Sequence, residues 1–184
     1  DVCSSDLASV SINPFTGASA SATYTIGAGE NTTALVATNI ALSAGTLQNA
    51  AEVDALLSLP GTNINSDRTI VIDTTAPLIT GEALAADNVY IDVTFDSPVY
   101  ATNAASGGLE ITDFTLVFLA NGGTATGASV TGVTTTAGGA TAGGETTLRL
   151  NLNVTGSVAG TETVALKPAS NAVFDAAGNP APVS

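Results

Sequence analysis

Two stretches of this chain alternate apolar and polar residues so regularly that they read directly as β-strands. In "NVYIDVTF", Val89, Ile91, Val93 and Phe95 fall on one face, and Tyr90, Asp92 and Thr94 on the other. "LRLNLNV" repeats the pattern, with Leu148, Leu150, Leu152 and Val154 alternating with Arg149, Asn151 and Asn153. Successive side chains of a strand point to opposite faces, so a period of two predicts a strand buried on one side against a core. "FTLVF" turns Phe114, Leu116 and Phe118 inward by the same rule, and "ETVALKP" turns Val164 and Leu166 inward. Earlier, "SATYTIG" offers Ala22, Tyr24 and Ile26, and "RTIVID" gives a shorter, more continuously apolar strand.

Turn signals separate these runs: "GAGEN" at 27–31, "SGG" at 106–108, "NGG" at 121–123 and "AGN" at 177–179. Strands spaced in this way predict an all-β sandwich rather than a βαβ sheet. "AAEVDALLSL" at 50–59 has helical composition, but it is short and lies between strand-like segments, so it is expected to form a turn of helix or an irregular loop. "TTTAGGATAGGETT" at 134–147 reads as a loose hairpin connection, because Gly and Ala cannot anchor it by packing. It lacks the Gly-Lys-Ser/Thr ending of a phosphate-binding loop. "VIDTTAPLIT" at 71–80 marks a domain junction, where Pro77 fixes its own φ and pushes Ala76 towards an extended conformation.

Composition narrows the function. Sixteen Asp and Glu stand against Arg68, Arg149 and Lys167, for a formal charge of −13. So few cations cannot neutralise a phosphate backbone or hold an anionic membrane, which argues against nucleic-acid and membrane-surface partners. No apolar run approaches the roughly 20 residues of a membrane helix, so no membrane insertion is expected in this segment. Thr, Val, Gly, Ser and Asn suit an extracellular, turn-rich β protein. With no His and a single Cys, a Ser-His-Asp or Cys-His catalytic set and an ordinary zinc site are excluded within this chain. A carboxylate pair of the glycosidase kind has no sequence support, since the acids are scattered over short strands.

The chain also repeats itself. "DAAGNPA" at 175–181 has a worn counterpart in "NAAEVDA" at 49–55, each after an apolar stretch. About twenty residues after the first copy comes "VIDTTAP"; the second copy lies close to Ser184. The two segments are therefore expected to be offset parts of one repeating unit of about 120 residues. Residues 8–74 would be the C-terminal part of a truncated repeat, and 75–184 a nearly complete one lacking its last strand. An unpaired edge of this kind is expected to favour strand-mediated association.

"DTTAP", the strand ending "VTFDSPVY", "GGLEITDFTL", "GTETVALKP" and "VFDAAGN" together resemble the tandem bacterial Ig-like repeats of large secreted and cell-surface, adhesin-like proteins. The resemblance covers residues 73–179 well and the first segment only through its end. It implies antiparallel Ig-like β-sandwiches, an extracellular or cell-surface location, and a spacer role. It also implies neighbouring Ig-like repeats of the same chain as partners, and a glycan or surface ligand bound through other domains. The alternative is a carbohydrate-binding or accessory module of a secreted enzyme, which would need an aromatic platform. Tyr24, Tyr90 and Tyr100 are the only tyrosines, and Trp is absent. The family strand usually reads Phe-Ser-Glu-Pro-Val, whereas here the acid is Asp96, one residue earlier and on the other side of an extended strand.

Calcium is the ion to consider, because it takes six to eight hard oxygen ligands. Asp73 at the junction, with Asp87 and Asn88 in the following loop, is the candidate set; an Asx turn is the other reading of Asp73. No EF-hand or Gly-Gly-x-Gly-x-Asp spacing accompanies it. Asp175, Gly178 and Asn179 read as a structural turn, Asp175 bonding the backbone two residues on and Gly178 supplying a positive φ. The sequons at Asn31 and Asn153 are expected to be chance in a Thr-rich chain. Finally, "DVCSSDL" at 1–7 resembles the translated end of a common sequencing adapter, so this segment, with the lone Cys3, is expected to be non-native.

Overall fold

The structure is a computed structural model that describes residues 10–62, 64, 66 and 68–183. The expectation about residues 1–7 falls outside the described residues. The chain divides into two compact units between Thr74 and Thr75.

The second unit holds all the strands of the described residues: β1 (Ile79–Leu84), β2 (Tyr90–Val99), β3 (Phe114–Leu119), β4 (Gly127–Thr135), β5 (Glu145–Thr155) and β6 (Thr163–Pro168). They form two antiparallel sheets, one ordered β1-β2-β5-β4 and the other β3-β6, and the fold is an all-β sandwich. The two most regular alternations in the sequence become the two central strands of the larger sheet. Ile91 stands opposite Leu150, and Val93 opposite Leu148. Their apolar faces meet Phe114 of β3 and Leu166 of β6, with Leu109 and Val173 closing the core from loops. Val93, Leu148 and Leu150 are completely buried. Each such side chain contributes about 1.5–3 kcal/mol through burial, so this cluster carries the unit's stability.

Three local outcomes differ from the sequence pattern. Val89 belongs to the turn before β2 and is half exposed, because the strand begins one residue later, after Asn88 at φ 61. β4 escapes a period-two reading, since Val130 and Val133 are three residues apart. A register shift between Val130 and Gly132 rephases the strand so that both reach the core. The connection from β4 to β5 is pinned by hydrogen bonds as well as by the packing of Tyr100 on Gly143 and Gly144. Gly139 N–H reaches the Thr135 hydroxyl (3.0 Å), and the Thr141 hydroxyl donates to the Leu109 carbonyl (2.9 Å).

The first unit has no regular strand among its described residues. Residues 21–26 form no ladder, and 50–59 contain a turn and no helix. Its order comes from a bridge in which Thr32 and Ile72 exchange both backbone bonds (2.8 and 2.9 Å). Nearby, Leu35 N–H donates to the Ile70 carbonyl (2.8 Å). Ile72 is the one buried apolar side chain among this unit's described residues, whereas Ile12, Ile26, Val53 and Leu56 are exposed.

Candidate functional site

The polar chemistry of the second unit begins on the outer face of the large sheet. Asp92 on β2 and Arg149 on β5 are direct cross-strand partners. The guanidinium grips the carboxylate with Nε to Oδ1 and Nη2 to Oδ2, each 2.8 Å, and lies 3.6 Å from the centre of the Tyr90 ring. The alternation of β2 creates this arrangement by placing Tyr90 and Asp92 two residues apart on one face. Both charged side chains remain about a quarter exposed, so solvent screens the pair and it acts as a modest clamp between strands.

Most carboxylates solve a different problem. With so few cations available, several acids bond to backbone N–H groups instead. Glu145 accepts from Ala142 (2.8 Å) and Gly143 (3.0 Å) as the chain enters β5. Glu162, just before β6, accepts from Ala125 (3.0 Å), Ala159 (3.0 Å), Gly160 (2.9 Å) and Thr161 (3.2 Å). In the first unit Glu30 accepts from Gly27 (2.6 Å) and from the Tyr24 hydroxyl. In all three the donor three residues earlier is a small residue: Gly27, Ala142 or Ala159. The Ala125 amide, then the residue's own amide, hold the Glu162 carboxyl down at about 2. The Tyr24 hydroxyl and the Gly27 amide lower Glu30 in the same way. Asp113 moves oppositely, pushed up chiefly by burial, while its carboxylate caps the Glu110 N–H at 2.7 Å. Acids held ionised by several amides are structural acceptors and poor proton donors at neutral pH.

Asp175 is the buried acid of the unit, 4 % exposed. Its Oδ1 accepts from Ala177 N–H (2.9 Å) and Asn179 N–H (2.8 Å), and Oδ2 accepts from Asn179 Nδ2 (2.8 Å). Gly178, at φ 87, donates its N–H back to the Asp175 carbonyl (3.2 Å). Asn179 Nδ2 also reaches the Thr75 carbonyl (3.2 Å), tying the turn to the first residue of the unit.

The same turn occurs in the first unit, 126 residues earlier, around Asn49. Its Oδ1 accepts from Ala51 N–H (2.9 Å) and Val53 N–H (3.1 Å). The backbone bonds match as well. Asn49 to Val53 (3.0 Å) corresponds to Asp175 to Asn179 (3.1 Å), and Ala55 to Leu47 (2.7 Å) corresponds to Ala181 to Val173 (2.8 Å). Glu52 takes the place of Gly178, donating to the Asn49 carbonyl (3.0 Å) from a φ of 61. Five hydrogen bonds therefore recur at equivalent positions.

Of the calcium candidates, Asp87 and Asn88 share the β1–β2 turn, where Asp87 Oδ1 faces Val89 N–H at 3.4 Å. Asp73 belongs to the first unit. Among the described residues, no group of three or more His, Cys, Asp or Glu is placed to hold a metal ion. Asp96 serves the β1 junction, its Oδ1 accepting from Leu78 N–H at 2.9 Å. Two tyrosine rings are engaged within the second unit: Tyr90 lies under Arg149, and Tyr100 lies so close to Gly143 and Gly144 that a Cβ at Gly143 would fall 2.8 Å from its ring. The glutamate caps went unread in the sequence, although their signal is visible: a Glu three residues after Gly or Ala, with Gly between, at the entrance to a Thr-rich segment. No helix among the described residues is long and apolar enough to cross a membrane. The chain matches no family model, no curated protein and no solved structure.

Proposed function

We propose that this chain is a non-catalytic structural segment of tandem Ig-like repeats from a secreted or cell-surface bacterial adhesin-like protein, where it spaces and presents other domains. The observation that carries this reading is the turn repeated at 49–53 and 175–179, with five hydrogen bonds at matching positions in two successive units. Strand order supports it further. Seven-stranded immunoglobulin-type sandwiches place A, B, E and D in one sheet and C, F and G in the other. The order β1-β2-β5-β4 with β3-β6 corresponds to A-B-E-D with C-F. A spacer needs acids that keep it soluble and fix its turns, and the amide-bound glutamates fit that need.

The accessory-module reading is weaker here because Tyr90 and Tyr100 each have a ring face occupied within the fold. A glycan array decides between the two. The spacer role predicts no saturable retention of any polysaccharide, whereas retention that is lost on Tyr100→Ala would replace it with carbohydrate binding.

A further inference from the structure

β6 has an unused side. Its register with β3, together with the Ala169 N–H bond to the Asp113 carbonyl, sends the backbone groups of Thr163, Ala165 and Lys167 towards β3. Those of Val164 and Leu166 therefore point the other way, out of the two-stranded sheet. At Leu166 that direction is stopped by a side chain: its N–H donates to Glu82 Oε1 of β1 at 3.2 Å. Beside this edge the sandwich is incompletely filled. Leu84, Phe118, Leu152, Val154, Val158 and Val164 line an apolar cleft of about 40 Å³. That is several times the roughly 10–15 Å³ that admits a water molecule, and enough for an aliphatic side chain.

The first unit shows what such an edge receives. "ENTTAL" at 30–35 aligns with "ETVAL" at 162–166 when Thr33 is an insertion, so Thr32 corresponds to Val164 and Leu35 to Leu166. Both segments enter through a Glu capped by the amide three residues earlier. In the first unit the edge is filled: Thr32 exchanges bonds with Ile72, and Leu35 N–H donates to the Ile70 carbonyl. The amide that binds a strand at Leu35 has as its counterpart the amide that binds Glu82 at Leu166.

We infer that the outer edge of β6 is an acceptor for one added β-strand with aliphatic side chains at alternate positions, of the kind that Ile70 and Ile72 supply to the matching edge, and that Glu82 occupies the site in its absence. The added strand replaces the Glu82 carboxylate at Leu166 N–H, bonds Val164, and places an aliphatic side chain in the cleft. Pro168, the next outward position, has a carbonyl but no N–H, so Val164 and Leu166 supply the outward donors of β6. This inference rests on the correspondence between the two units and not on the spacer role, so loss of peptide binding would leave that role standing.

The test uses the full chain and a fluorescein-labelled, end-capped peptide with the sequence of residues 68–74, followed by anisotropy. Saturable one-to-one binding is expected. Glu82→Ala tightens it several-fold by removing the competitor for Leu166 N–H. Val164→Pro weakens it at least tenfold with an unchanged far-UV spectrum, because the Val164 N–H is not used by β3. A peptide with Asn in place of both Ile residues fails to bind. Concentration-dependent self-association that Val164→Pro abolishes would show this edge pairing with a strand of a second copy and support the acceptor. No saturation by wild type and Glu82→Ala alike, or binding untouched by Val164→Pro, would overturn it.

Discussion

Removing the Asp175 carboxylate is expected to be among the most damaging single polar changes in the second unit. Asp175→Ala leaves three donors, the N–H groups of Ala177 and Asn179 and the Asn179 side-chain amide, without their acceptor at a position only 4 % exposed. Hydrogen bonds to a charged group contribute about 1.5–3 kcal/mol each. The three share one group and are not additive, so the expected total is about 3–5 kcal/mol. For a domain of this size that lowers the melting temperature by more than about 10 °C. Asp175→Asn is the informative companion, because Asn49 makes the same two backbone bonds with an amide oxygen in the first unit. It retains both of those bonds and loses only the favourable contact to Asn179 Nδ2, at a cost of about 1 kcal/mol. Urea unfolding followed by far-UV circular dichroism reads the second unit selectively, since all the described strands lie there. An Asp175→Ala cost below about 1 kcal/mol, or equal damage from the two variants, would refute the argument that the acceptor organises the turn.

The amide-bound Glu162 gives a pH signature. Its folded value of about 2 lies below the ordinary 4.5, so its contribution is complete above about pH 4.5 and is lost as pH falls towards 2. Glu162→Gln should therefore flatten the acid limb of the stability profile in that window and leave its slope above pH 5 unchanged. Arg149→Lys should destabilise the second unit slightly by losing both the bidentate grip and the stacking on Tyr90. In a double-mutant cycle with Asp92→Asn the losses should be non-additive, and the coupling should shrink in high salt. Gly108→Ala would put a Cβ 2.2 Å from the Thr141 carbonyl oxygen, so a loss of about 2 kcal/mol or more is expected in thermal melts.

The central strands were legible because burial on one face imposes a period of two, and nothing local competes with it along β2 and β5. Ile91, Val93, Phe95, Leu148, Leu150 and Leu152 are all core residues. β4 was illegible for the opposite reason: a register shift places Val130 and Val133 in the core three residues apart, which no fixed period predicts. The Tyr24 and Ile26 segment looked like a strand by propensity, yet strands need partners, and no ladder reaches it. The low-complexity loop before β5 has a loose composition because Gly and Ala offer little to pack, yet Thr141 and Glu145 secure it through backbone groups. Asp175, Gly178 and Asn179 could be read locally because an Asx turn is encoded within five residues. The cross-strand grip of Asp92 on Arg149 depends on a register 57 residues apart, which only the folded sheet supplies.

The placement of the three cationic residues bears on how the chain meets a protease that cuts after Lys or Arg. Arg149 sits mid-strand in β5 with ladders on both sides, opposite Asp92 and Thr134, so its peptide bond cannot extend into a protease cleft without breaking the large sheet. Lys167 is followed by Pro168, a bond that such enzymes leave intact. Arg68 alone is exposed outside a regular strand, ahead of the division between the units. Limited digestion of the native chain should therefore make a single cut, and the fragment that begins at Thr69 should keep the β-sandwich whole and resistant to further attack for as long as it stays folded.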